Sequence, residues 1–90
     1  MKGYEALFDK AIEQWGVQAQ LLMVLEEMSE LQKEILKNIN RGKDNIDAII
    51  DETADVEIML AQLKHIYGIQ KQVEERIPVK LAKVRARLED

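Results

Sequence analysis

Apolar residues recur along this chain at steps of three and four, and the interruptions fall at Gly3, Gly16, Gly42, Gly68 and Pro78. Those steps are the helical ones, and no run alternates apolar with polar residues in the β-branched or aromatic manner of a strand. The intervening segments are rich in Leu, Ile, Met, Ala, Glu, Lys and Gln, all good helix formers. The pattern predicts an all-α chain of four helices, running from about Tyr4 to Trp15, Val17 to Asn40, Asp44 to Tyr67 and Gln70 to Leu88. The second helix carries an apolar stripe at Leu21, Val24, Leu25, Met28, Leu31, Ile35 and Ile39. The third is apolar on two sides, with Ile49, Val56, Met59, Leu60, Leu63 and Tyr67 on one and Ile50, Ala54, Ile58 and Ala61 on the other. So few helices cannot cover both sides, which predicts a bundle completed by a partner subunit. The fourth helix has its own stripe at Ile69, Val73, Ile77, Leu81, Val84 and Leu88. Pro78 either kinks that helix or opens it as the first residue after a turn.

Length and composition bound what such a bundle can be. Ninety residues make one domain, 1–90, with 47% apolar and 33% charged residues and only four aromatics. The lack of cysteine removes disulfides and thiolate zinc sites and fits a reducing compartment. No stretch approaches the roughly 18–20 apolar residues of a membrane span, and the N-terminus lacks a signal-peptide core, so the expected location is cytoplasmic. A formal charge of −4 argues against a generic nucleic-acid binder. With 17 acids present, their placement matters more than their number.

With Val56 at the centre of the third helix's stripe, Glu52 falls within roughly 40° of it, among Ile49, Leu60 and Leu63. A carboxylate there is expensive unless it is paired or bound to metal. Asp55 lies one turn along. On the second helix, Glu27, Glu30 and Glu34 form a ridge beside the apolar stripe. The pairs Glu27/Glu30 and Glu52/Asp55 are each spaced i, i+3, and they are symmetric about the turn Asn40-Arg41-Gly42-Lys43. An antiparallel hairpin of the second and third helices therefore brings them level. Four converging carboxylates raise one another's pKa unless a cation neutralises them. Oxygen-only ligands without His or Cys suit Mg²⁺ or Mn²⁺ rather than Zn²⁺. The competing reading gives these acids to inter-helix salt bridges with Lys33, Lys37 or Lys64. A third pair, Asp44/Asp47, is accounted for by the start of the third helix, where it complements the dipole.

The run Glu26-Glu27-Met28-Ser29-Glu30, followed by Glu52-Thr53-Ala54-Asp55, has the form EExxE…ExxD. With Trp15-Gly16, Gln20, the continuation Val56-Glu57-Ile58-Met59-Leu60 and a basic last helix, the chain resembles the small MazG-like all-α nucleoside triphosphate pyrophosphohydrolases, relatives of the dimeric dUTPases. The resemblance implies Mg²⁺-dependent hydrolysis of a (d)NTP to the monophosphate and pyrophosphate by a homodimer or homotetramer. It implies metal ligation by Glu27, Glu30, Glu52 and Asp55, with Glu30 also assigned the catalytic step and Glu26 an outer or structural role. Phosphoribosyl-ATP pyrophosphohydrolase shares the pattern, and a non-catalytic helical interaction module is the alternative outside enzymes. Arg76, Lys80, Lys83 and Arg87 form a basic ridge that either receives the departing pyrophosphate or is a solvated face. Gln20 lies on the side of Glu27, as a substrate contact or a surface amide. Trp15 either stacks on a base or joins the core. His65 is expected in packing or a subunit contact. No aromatic clamp for a particular base is evident.

Overall fold

The structure, a computed structural model, describes residues 1–89. It has four helices: α1 (Glu5–Trp15), α2 (Val17–Arg41), α3 (Ile46–Tyr67) and α4 (Gln70–Glu89). No strand occurs among the described residues. The breakers act where the sequence places them. Gly68 takes a left-handed conformation (φ 64°), and its N–H donates to the His65 carbonyl while the Ile69 N–H donates to that of Lys64. Those two bonds satisfy two of the four free carbonyls at the end of α3, in a geometry that only a residue without a Cβ adopts cheaply. Pro78 lies inside α4, which continues through it rather than starting there.

α2 and α3 form the antiparallel hairpin, α1 packs on both, and α4 packs on α3 alone. The hairpin turn is held by amides rather than by an acidic cap. Asn45 precedes α3, and its Nδ2 donates to the Glu34 carbonyl and to Glu34 Oε1, both at 2.9 Å. Asn38 Nδ2 in turn donates to Asn45 Oδ1 at 3.2 Å and to the Lys43 carbonyl at 3.1 Å. Asp44 lies outside the helix, and no side chain caps its N-terminus. The expected dipole partner in the first turn is Asp47 alone.

Burial divides the stripe expected on α2. Its least exposed residues at each turn are Gln20, Val24, Glu27, Leu31, Glu34 and Asn38, a 4-3-4-3-4 seam facing α3. Val24 is 2% exposed, whereas Leu25 is 62% and Ile39 70% exposed. On α3 the corresponding line is Ala48, Glu52, Val56, Met59, Gln62 and Ile66, with Met59 and Gln62 buried and the others half-buried. Val56, the centre expected from the sequence, thus lies on the covered side, with Asp55 exposed beside it. A short turn clasped by Asn38 and Asn45 fixes which faces meet, and it selects a half-polar seam over the more apolar one beside it.

α1 closes the open end of the hairpin. Phe8 is buried against the His65 ring (centroids 5.9 Å apart), and Asp9 Oδ1 lies 2.6 Å from His65 Nε2. His65 is thus a packing residue, as expected. Beyond Val73 every described residue of α4 is exposed. The radius of gyration is 16.1 Å, against about 12 Å for a compact chain of this length.

Candidate metal centre

Three of the four expected carboxylates converge. Glu27 from α2 and Glu52 and Asp55 from α3 each bring one oxygen within 4.8 Å of the others. The i, i+3 spacing of Glu52 and Asp55 points both at α2, and the hairpin register sets Glu27 opposite them. Glu27 and Glu52 are half-buried and Asp55 is open to solvent, so the cluster is accessible from one side.

Its electrostatics are uncompensated. Burial pushes the Glu27 carboxyl above its ordinary range, and the negative charges of Asp55 and Glu52 push it further. Glu52 Oε2 is buried with no hydrogen-bond partner. Of the lysines that the competing reading assigned to this cluster, Lys33 Nζ is 3.6 Å from Glu30 and Lys37 Nζ is 3.0 Å from Glu34, and Lys64 forms no ion pair among the described residues. No ion pair to Glu27, Glu52 or Asp55 occurs among the described residues. Buried carboxylate oxygens are normally satisfied, so an orphan beside two further carboxylates is the arrangement a divalent cation would complete. The donor set is all oxygen, which fits Mg²⁺ or Mn²⁺.

The other predicted residues are less closely gathered. Glu30 is exposed, outside the cluster and turned toward Lys33. Glu34 belongs to the turn: Asn45 first, then Lys37, holds its carboxyl below the ordinary range by hydrogen bonding the charged form. Gln20 is buried, with Nε2 directed at Met23 Sδ (3.7 Å), and it lines a groove with Trp15, Ala19, Met23 and Glu26. Trp15 stands exposed at the edge of that groove rather than in the core. Lys80, Lys83 and Arg87 lie on the uncovered part of α4, which makes no contact with α2. The chain by itself does not bring them to the carboxylates.

Sequence reasoning missed Gln62, which is 3% exposed with an unpartnered Nε2. It lies seven residues after Asp55, hence on the same line of α3, and that spacing was the available signal. It missed Asn45 as well, whose bond to Glu34 spans eleven residues and leaves no local pattern.

Comparison of the chain with family models, curated proteins and solved structures finds no match.

Proposed function

We propose that this chain is a Mg²⁺-dependent nucleoside triphosphate pyrophosphohydrolase that cleaves a (d)NTP between its α- and β-phosphates, working as a homodimer or homotetramer. The observation that carries the reading is the unpaired Glu27–Glu52–Asp55 cluster with its buried, partnerless Glu52 oxygen. The EExxE…ExxD resemblance supplies the reaction class. Glu27, Glu52 and Asp55 would hold the metal, with Mn²⁺ as an acceptable substitute. When bound, the ion supplies Lewis-acid polarisation of the phosphate and of the attacking water.

The remaining steps belong to the chain's own residues. Glu30, one turn beyond Glu27 and free of the cluster, accepts the proton of the attacking water. Its contact with Lys33 is exposed and easily exchanged. Gln20 and Trp15 line the groove N-terminal to the carboxylates on α2, where the nucleoside is received. Gln20 lies seven residues before Glu27, about 10 Å along the helix. Lys80, Lys83 and Arg87 neutralise the departing pyrophosphate once assembly seats α4.

The test is a panel of canonical and modified (d)NTPs with Mg²⁺, scored for pyrophosphate, together with phosphoribosyl-ATP. Pyrophosphate release that disappears in Glu52→Gln while helical content holds is the expected result. Inorganic phosphate as the product overturns the assignment, and so does activity that survives Glu52→Gln. Failure of Mg²⁺ to raise the melting temperature points instead to a helical interaction module.

A further inference from the structure

Two buried side-chain atoms among the described residues have no hydrogen-bond partner, and they are opposite in kind. Glu52 Oε2, an acceptor, belongs to the carboxylate cluster. Gln62 Nε2 is a donor, and nothing in that cluster uses it. Gln62 on α3 is 3% exposed, and Gln20 on α2 is 2% exposed. Gln20 lies seven residues before Glu27 and Gln62 seven residues after Asp55, so both are displaced equally from the α2–α3 turn. The antiparallel hairpin therefore sets the two amides level, about 10 Å along the helices from Glu27 and Asp55.

Neither amide nitrogen has an acceptor of ordinary strength. Gln62 Nε2 donates to nothing, Gln20 included. Gln20 Nε2 is directed at Met23 Sδ, 3.7 Å away, and a thioether is a weak acceptor. The surroundings are apolar: Val24 and Met59 are buried one turn nearer the carboxylates, and Ala61 is buried next to Gln62. An amide sealed there without a partner costs free energy that an apolar side chain of similar size would not. Two such amides, one on each helix, leave room for a ligand that supplies the acceptor.

The groove beside them gives the route. Gln20 lines it with Trp15, Ala19, Met23 and Glu26. Ala19, Met23 and Glu26 each lie one position before a seam residue of α2, and Asp55 lies one position before Val56 on α3. Because the helices run antiparallel, both offsets fall on the same side of the hairpin, so the groove and the carboxylates open together. Met23 is exposed on that side, and its unbranched, flexible side chain swings off Gln20 as a ligand enters.

We infer that Gln62, together with Gln20, is a positioning residue for the base of the bound nucleotide, the two amide nitrogens donating to one carbonyl oxygen of that base. The inference rests on the nucleotide reading proposed above and narrows its substrate class. A carbonyl oxygen offers two lone pairs, one for each amide nitrogen. Uracil, thymine, cytosine and guanine each carry such an oxygen. Adenine has only ring nitrogens as acceptors, with a single in-plane lone pair apiece, and leaves one donor unpaired beneath it. With the phosphates at the carboxylates, the base lies further along the groove toward Trp15, level with the amides.

The test is calorimetric binding of dUMP, dTMP, dCMP, dGMP and dAMP to the intact chain with Mg²⁺, for the parent and for Gln62→Met. Methionine keeps the length of the side chain and removes the donor. The parent is expected to bind the four carbonyl-bearing nucleotides at least about tenfold more tightly than dAMP. Gln62→Met should lose that preference. It should also melt no lower than the parent, since the amide it removes had no partner, and Mg²⁺ should still raise its melting temperature. Equal binding of dAMP by the parent overturns the inference, and so does a preference that survives Gln62→Met or the failure of every nucleotide to bind. A variant that melts well below the parent overturns it too, by showing that the amide is bonded within the chain. Binding of monophosphates involves no turnover. A chain that prefers carbonyl-bearing bases but releases no pyrophosphate from triphosphates keeps this inference and loses the hydrolytic reading. One that releases pyrophosphate yet binds all bases alike does the reverse.

Discussion

Two lines of side chains, one residue apart on each helix, divide the work of the hairpin. The inner line places Gln20, Glu27, Glu34 and Asn38 of α2 against Glu52, Asp55 and Gln62 of α3, and only about half of it is apolar. On the outer line Leu25, Met28, Ile35, Ile39, Leu60 and Tyr67 meet solvent in the single chain, while Leu21, Ile49 and Leu63 are half-buried. Cohesion alone would pair the helices the other way round, since burying carboxylates without partners costs more than it returns. By closing on its polar line the hairpin sets Glu27, Glu52 and Asp55 together without partners, the arrangement on which the proposed function rests. On α4 only the start of the stripe, at Val73, is half-covered, and Ile77, Leu81 and Val84 stand exposed.

The comparison breaks most visibly at Glu52. If the inner line exists for a metal, Glu52→Gln removes the ligand whose second oxygen has no protein partner. Pyrophosphate release should fall at least about 100-fold, and the rise in melting temperature on adding Mg²⁺ should vanish, while circular dichroism still reports a helical chain. Glu30→Gln should separate from it. Its activity falls, but Mg²⁺ still raises the melting temperature, because Glu30 stands outside the cluster.

Next in size is the outer line. Leu25→Glu puts a charge into the outer line at a residue that is 62% exposed in the single chain. Little is lost within the monomer, but a charge buried in a dimer face without a partner costs several kcal/mol. The variant should sediment as a monomer at concentrations where the parent is associated. An unchanged oligomer would mean that the outer line is ordinary solvated surface.

Much of this arrangement is legible in the sequence, and the reasons for the rest are specific. The four helices and their breaks follow from periodicity and from glycines at Gly16, Gly42 and Gly68. Symmetry about the turn selects Glu27, Glu52 and Asp55, because equal distances from a turn become equal heights in an antiparallel pair. What periodicity cannot supply is the rotation of each helix about its own axis. On α3 the wheel centred on Val56 does place Glu52 and Met59 inward, as found, but it gives no sign of the Asn38–Asn45–Glu34 clasp that ties the two helices together. The rotation of α2 likewise leaves Glu30 outside the cluster, toward Lys33. The direction of α4 was hidden for a related reason. Its stripe marks an apolar side, but periodicity does not say what that side meets, and in the chain Ile77, Leu81 and Val84 are exposed.

The clasp itself gives a smaller effect. Asn45→Ala deletes two hydrogen bonds to Glu34 and the acceptor for Asn38. A part-buried pair of this kind contributes about 1–2 kcal/mol, which should appear as a lower denaturant midpoint with an unchanged slope. If rotation of the helices depends on the clasp, Mg²⁺ affinity should weaken along with stability. Lost stability at full metal affinity would show that the inner line holds its own register.

The smallest effect is the most diagnostic of an empty inner line. Glu27 is held above its ordinary carboxyl range, by burial first and then by Asp55 and Glu52. The folded chain therefore binds that proton more tightly than the unfolded one, so this group favours folding below the ordinary carboxyl pKa and loses that contribution as pH rises through its folded value. Glu34 works in the opposite sense, since Asn45 and Lys37 lower its pKa. Its contribution is present above the ordinary range and is lost as pH falls. A bare pH profile mixes the two, and only a paired comparison isolates Glu27. Without metal, Glu27→Gln should melt a few degrees above the parent at pH 7 and level with it near pH 4, because glutamine carries no charge to repel Asp55 and Glu52. Saturating Mg²⁺ should reverse the order at pH 7, since the parent then gains a ligand that the variant lacks. A variant less stable than the parent at pH 7 without metal would mean that the Glu27 charge is already compensated within the chain, and the case for a cation between the two helices would fall with it.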